Sequence, residues 1–131
     1  MNFWFRAYRE VNDDFDYFSH PEIETEFWNF ARIHEFPVSQ FIGIKDLLGT
    51  PIFVGDIVLD IARNAALEIV LESEKCRFFI REIHPREPSY RYSEIPEPIK
   101  ILGNIYQDKD LIRNQKAFID RRIAWKIVRG E

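Results

Sequence analysis

Hydrophobic residues fall on alternate positions in several short runs separated by turn residues, and at helical spacing in two longer ones. Phe3-Trp-Phe-Arg-Ala-Tyr8 is dense in aromatics, which favour a pleated, half-buried surface, and residues 2–9 are predicted to form a strand. Beyond the polar residues 10–14, Phe15, Tyr17 and Phe18 resume the pattern, so an N-terminal hairpin is expected. Ser19-His-Pro-Glu22 has the form of a capping box with proline in the first turn. Ile23, Phe27, Phe30, Ala31 and His34 then recur at helical spacing, predicting a helix over 20–34 that Phe36-Pro37 ends; a strand through Glu24-Thr-Glu-Phe27 is the rival reading.

From Val38 the pattern is β. Gln40 to Lys45 forms one run, Asp46 to Gly49 supplies turn residues, and Pro51 limits φ just before Ile52 and Phe53. Gly55-Asp56 opens a strand in which Ile57, Leu59 and Ile61 share an inward face and Asp60 points outward. Leu67, Ile69 and Leu71 alternate with Glu68 and Glu72, and Cys76, Phe78 and Ile80 alternate with Arg77 and Arg81 across a turn at 73–75, giving a second hairpin with Arg63 to Ala66 as its connector. After a proline-containing loop and Tyr90 and Tyr92, a last strand runs from Ile99 to Tyr106. Asp108 can cap a final helix of about 20 residues, whose Leu111, Ile112, Phe118, Ile119, Ile123 and Ile127 form one stripe with Trp125 at its edge. That stripe must be buried against the chain's own barrel or against a second copy. Closely spaced short strands point to a small barrel rather than a parallel α/β sheet.

Three blocks of this pattern, Phe5-Arg-Ala-Tyr8, Phe41-Ile-Gly-Ile-Lys-Asp46 with Gly49 and Ile52-Phe-Val-Gly-Asp-Ile-Val58, and Ile101-Leu-Gly-Asn-Ile-Tyr106, resemble the YopX-like proteins of phages and prophages, in that family's order. The resemblance implies a mainly β, α+β fold, with a small SH3-like β-barrel in a phage or prophage setting. It supplies no established activity, cofactor or catalytic residue. The positions it singles out are Phe5, Arg6, Ala7, Gly43, Asp46, Gly49, Gly55, Asp56, Gly103, Asn104 and Tyr106, expected to be structural. Leu47-Leu48 departs from the family's polar turn, and the helix after Tyr106 is longer than its short acidic end.

Length fits one domain of 131 residues, divided into an N-terminal hairpin and helix (1–37), the barrel (38–107) and the C-terminal helix (108–131). Charge is uneven along it. Residues 1–108 hold 11 Lys/Arg against 19 Asp/Glu, a net of −8, whereas residues 109–131 hold 7 against 3, a net of +4. An acidic body repels phosphate backbones, so nucleic acid is a disfavoured partner that would need the basic helix. No apolar run approaches the roughly 20 residues of a membrane span, and the start of the chain lacks the pattern of a secretory signal, so a cytoplasmic location is expected.

Candidate chemistry is sparse. Cys76 is the single cysteine, which removes internal disulfides and cysteine-based zinc sites, and its place on an inward face reads as core. His20, His34 and His84 lack a second ligand at metal-binding spacing, and Asn12-Asp-Asp-Phe-Asp16 lacks the glycine and the twelfth-position glutamate of a calcium loop. Asp46 and Asp56 read as turn-formers. No catalytic, metal or cofactor site is expected, and no glycine-rich phosphate loop or nucleophile elbow occurs. Twelve of the 20 aromatics lie in the first 41 residues, more than a hairpin and one helix normally hide. The expectation is a non-enzymatic protein acting through an unknown protein partner or a homo-oligomer, with Leu111, Phe118, Arg122 and Trp125 as a possible interaction helix. Nucleic-acid binding through the basic helix, and an enzyme with a site built from separated carboxylates, are the alternatives.

Overall fold

The computed structural model describes residues 5–18, 36–72, 77–83, 90–91, 95–96 and 98–128. The helix predicted over 20–34, Cys76, Tyr92 and the three histidines lie outside those residues. The described strands are β1 (Phe5–Arg9), β2 (Asp14–Phe18), β3 (Val38–Lys45), β4 (Pro51–Phe53), β5 (Asp56–Asp60), β6 (Ala65–Glu72), β7 (Arg77–Glu82), β8 (Tyr90–Arg91) and β9 (Ile99–Asn104). Helices α1 (Lys109–Arg113) and α2 (Gln115–Val128) follow. One antiparallel sheet has the order β2-β1-β3-β4 and the other β8-β7-β6-β5-β9. The chain is thus mainly β and α+β overall, a barrel-like pair of sheets with a C-terminal helical segment, as the sequence predicts.

The N-terminal hairpin is built into this arrangement. A 3₁₀ turn over Glu10–Asn12 joins β1 to β2, and Phe5 lies opposite Phe18 on one side and Gln40 of β3 on the other. The two sheets are stitched at both ends of the second. Gly55, at φ +90°, carries β4 into β5; its N–H donates to Ile69 O at 2.8 Å and its carbonyl accepts from Ile105 N at 2.9 Å. A side chain there would combine a left-handed backbone with a 3.3 Å approach to Ile105. At the other seam, Leu47 N donates to Ile99 O at 3.0 Å and Ile101 N donates to Asp46 Oδ2 at 3.1 Å, which closes the outer edge of β9.

β5 runs between β6 and β9, and both of its faces are covered. Val58 joins Ile52, Leu67, Ile69, Ile80 and Ile99 between the sheets. Ile57 and Leu59 face the opposite way and pack with Ala66, Leu102, Leu111 and Phe118 beneath the helices. Ile57 therefore lies inside, as expected, but Asp60, predicted to point outward, is fully buried. Asp60 shares the Val58 face, which is turned to the other sheet, while the helices cover the Ile57 and Leu59 face; alternation sorts residues only where one face meets water, and neither face of β5 does. Asp60 Oδ1 accepts from Arg63 N at 3.3 Å, while its Oδ2 has no hydrogen-bond partner among the described residues.

The same double covering alters β6. Strand pairing begins at Ala65, within the predicted connector, and Glu68 is buried beside Arg81, whereas Leu71 is 39% exposed. The β6–β7 hairpin itself is as predicted, with Ile69 opposite Ile80.

The C-terminal helix is two helices rather than one. Asn114 is extended (φ −136°, ψ 110°), and its Oδ1 accepts from Lys116 N at 2.9 Å, so it ends α1 and starts α2. Asp108 precedes α1 but makes no side-chain cap bond; its carboxylate turns back to Asn104 N at 3.1 Å and to Arg121 at 3.1 Å. The last strand stops at Asn104, where Oδ1 accepts from the N–H groups of Tyr106 and Gln107 and starts a turn. Leu111 and Phe118 are covered by the chain's own sheet, while Ile123, on the predicted stripe, is 48% exposed. Among the described residues no helix is long and apolar enough to cross a membrane.

Candidate functional site

Two buried aspartates flank the β3–β4 hairpin. Asp46 is held by main chain: Oδ1 accepts from Leu48 N at 3.0 Å and Thr50 N at 2.9 Å, and Oδ2 from Ile101 N at 3.1 Å, with Lys100 Nζ at 3.7 Å. Such a carboxylate fixes a turn and a strand edge. Asp56 is arranged differently. Its Oδ2 accepts from Phe53 N at 2.8 Å, but its Oδ1 takes a 2.7 Å bond from Arg6, a residue of β1 that is itself 4% exposed. Burial pushes the Asp56 carboxyl above its ordinary value; the Arg6 guanidinium and the Phe53 amide pull the other way without cancelling it.

Arg6 lies among aromatics. Its guanidinium carbon is 4.2 Å from the centroid of Phe15 and 4.7 Å from that of Phe53. Tyr17 meets Phe53 edge-on at 5.7 Å, and Tyr106 meets Phe15 edge-on at 5.9 Å and stacks on Tyr8 at 5.1 Å. Tyr8 donates to Asp13 Oδ1 at 2.6 Å, and that bond, ahead of burial and the charges of Asp13 and Glu10, pushes its hydroxyl up to about 12.

These residues border an open cleft of about 670 Å³ where β1, β2, β4 and the start of β5 meet the end of β9. Phe15, Tyr17, Phe53, Pro51, Ile101 and Leu102 give it apolar walls; Lys45, Asp14, Thr50, Asn104, Gln107 and Asp108 are its polar lining, with Arg6 and Asp56. Gly103 is required by close approach, because a side chain there would run into the Asp108 carboxylate. Asn104 and Gln107 brace the rim: Asn104 Nδ2 donates to Gln107 Oε1 at 2.9 Å, and Gln107 Nε2 donates to Asp13 O at 2.6 Å. Among the described residues, no group of three or more His, Cys, Asp or Glu could hold a metal ion.

A family model described as YopX protein matches residues 2–113, which hold all the described strands together with α1. The chain belongs to the YopX family. A search of curated proteins gives no match.

The YopX-like positions read from the sequence divide into two groups. Arg6, Gly49, Asp56, Gly103 and Asn104, from three separate blocks, line the one cleft. Phe5, Ala7, Gly43, Asp46, Gly55 and Tyr106 do not line it. Ala7 is fully buried in β1, Gly43 lies in the irregular stretch of β3 between Phe41 and Lys45, and Tyr106 backs the aromatic wall. The proposed interaction helix is elsewhere: Arg122 lies 5.7 Å from the Phe118 ring, and Trp125 lies 5.5 Å from Lys100 Nζ.

Sequence reasoning missed Phe15, Tyr17, Lys45 and Phe53 as site residues. Three of them were legible only as strand aromatics, which is how they serve the fold. The one available signal was the excess of aromatics in the first 41 residues.

Proposed function

We propose that this YopX-family chain is a non-enzymatic binding module, a phage or prophage accessory protein acting in the host cytoplasm through a protein partner, with the Arg6 cleft as its contact surface. The observation that carries this reading is the convergence of YopX-like residues from three blocks on one open, aromatic-walled cleft. A site that mixes apolar walls with a few fixed polar groups suits recognition. Of its three carboxylates, the exposed Asp14 accepts from Phe15 N, and the other two are engaged at both oxygens: Asp56 by Arg6 and an amide, Asp108 by Arg121 and an amide. Neither is left poised for proton transfer, which supports binding over catalysis.

Nucleic-acid binding through the basic helix is less well supported. Arg121 is engaged by Asp108 and by Leu102 O at 2.7 Å, and Arg122 lies over Phe118. The test is affinity capture from the lysogenic or infected host with the wild-type chain and with a Tyr17→Ser/Lys45→Glu variant of this rim. A protein retained by the wild type and lost by the folded variant supports the reading. Partners retained equally by both, or salt-dependent DNA or RNA binding that survives the rim substitutions, would overturn it.

A further inference from the structure

We propose that the cleft receives a carboxylate carried beside an apolar group, taken up at the guanidinium edge of Arg6 and drawn in by Lys45 at the rim. This rests on the cleft being the binding surface and names the chemistry it selects.

The argument is a count of hydrogen-bonding capacity. An arginine offers five N–H donors. Arg6, 4% exposed, makes one hydrogen bond, to Asp56, and its Nε is buried with no partner among the described residues. Phe15 and Phe53 lie against the guanidinium at 4.2 and 4.7 Å, so the edge is what remains for an acceptor. Lys45, unlike Arg6, forms no ion pair among the described residues.

The acceptors of the cleft are largely committed in comparison. Both oxygens of Asp56 and both of Asp108 are bonded, Asn104 Oδ1 accepts twice, and Asp14 Oδ1 accepts from Phe15 N at 2.8 Å. With Arg6 paired to Asp56 and Asp108 to Arg121, the charges left in the lining are Lys45 and Asp14. What the Arg6 edge and Lys45 offer is donors with positive charge, and the ligand group complementary to them is an acceptor with negative charge. A planar carboxylate matches the in-plane fork of a guanidinium. A dianion is opposed by Asp56 at 2.7 Å from Arg6 and by the net charge of −8 over residues 1–108. Phe15, Tyr17, Pro51 and Leu102 supply apolar contact beside the charged floor.

The ion pair itself points the same way. Replacing a buried pair by apolar residues of similar volume is often neutral or stabilising, so stability alone does not account for a guanidinium placed here.

The test titrates the full chain with N-acetyl-phenylalanine and with N-acetyl-phenylalaninamide, followed by amide NMR shifts. The expected result is saturable binding of the acid, with shifts at Phe15, Phe53 and Asn104, and binding of the amide at least about tenfold weaker. Lys45→Ala should weaken the acid by about two- to fivefold and leave the amide unchanged. Arg6→Lys should abolish the preference for the acid; because Arg6 is buried, the exposed Lys45 variant keeps the test decisive if that protein fails to fold.

A second pair of probes, acetyl-Gly-Gly-Phe with a free and with an amidated C-terminus, distinguishes the source. Tighter binding of the free peptide than of the free amino acid assigns the carboxylate to a chain end, and the reverse assigns it to a small acid. Equal binding of acid and amide, no saturation by either, a Lys45→Ala protein with unchanged selectivity, or inorganic phosphate competing as well as the acid would each overturn the carboxylate assignment. Those outcomes are separable from failure of the binding-module reading, which shows instead as partner capture indifferent to the rim.

Discussion

The seam around Asp46 and the floor of the cleft around Asp56 begin from the same component, a buried aspartate at one end of the β3–β4 hairpin, and use it for different ends. Asp46 accepts three main-chain N–H groups, which tie the turn to the edge of β9. Its ligands are fixed by the backbone and leave nothing for a visitor. Asp56 accepts one main-chain N–H and one guanidinium, and that guanidinium retains unused donors beside an open space. For these two aspartates burial does not separate scaffold from site, whereas hydrogen-bonding capacity left open beside the cleft does; Asp60, incompletely bonded but absent from the cleft lining, shows that both conditions are needed.

Breaking the Asp56 pair on one side should give the largest effect. Asp56→Ala leaves Arg6 buried without its counter-charge, and a loss of about 3–5 kcal/mol in denaturant unfolding is expected. The double variant Arg6→Met/Asp56→Leu should recover most of that loss while abolishing ligand binding. A double variant no more stable than the single one would place Asp56 with Asp46 among the purely structural residues.

Asp46→Ala comes next, at about 2–4 kcal/mol, because three amides lose their acceptor in the turn and at the β9 edge. No single compensating substitution is expected, since the partners are main chain; Lys100, at 3.7 Å, contributes little. Recovery of stability in Asp46→Ala/Lys100→Ala would show that the ion pair, not the amides, holds this seam.

Much of this contrast was legible in the sequence, and the limits have physical causes. The strands from β3 to β7 follow from alternation and from turn residues such as Asp46, Gly49 and Gly55, because local chemistry sets them. The outward placement of Asp60 was misread because the packing of the other sheet on the Val58 and Asp60 face of β5, like the helical cover on its Ile57 and Leu59 face, is a tertiary fact. The split at Asn114 was missed because the apolar stripe runs through it without a change of face, and the cue, an asparagine able to cap the next turn, lies inside the pattern. The cleft could not be assembled at all: Arg6 and Asp56 are 50 positions apart, and each alone reads as a strand or turn residue.

Gly55→Val tests whether the junction between the two regions is rigid. The left-handed backbone and the 3.3 Å approach to Ile105 predict a loss of about 1–3 kcal/mol. Because Ile105 and Tyr106 adjoin the aromatic wall, the amide shifts of Phe15 and Tyr106 should move as well. A stability loss with an unperturbed wall would show that the seam and the cleft are mechanically separate.

The smallest effect is in the pH dependence, and it sharpens the comparison most directly. The folded-state value of the Asp56 carboxyl lies above its ordinary 3.8, with burial the leading cause. The stability linked to this group is therefore fully present below the unfolded value and is lost as pH rises through the folded one. Asp56→Asn removes the titration together with the counter-charge of Arg6 and one of the two acceptor oxygens, so the difference from wild type carries a fixed offset and only its change with pH reports the Asp56 titration. On acidification from neutral pH the wild type should gain on the variant, and the gap in unfolding free energy should widen until pH falls below about 4. Denaturant midpoints across that range give the measurement. A gap that narrows on acidification would mean that the Arg6 charge outweighs burial, and the pair at the cleft floor would then be an ordinary stabilising bridge comparable in role to the amide cradle of Asp46.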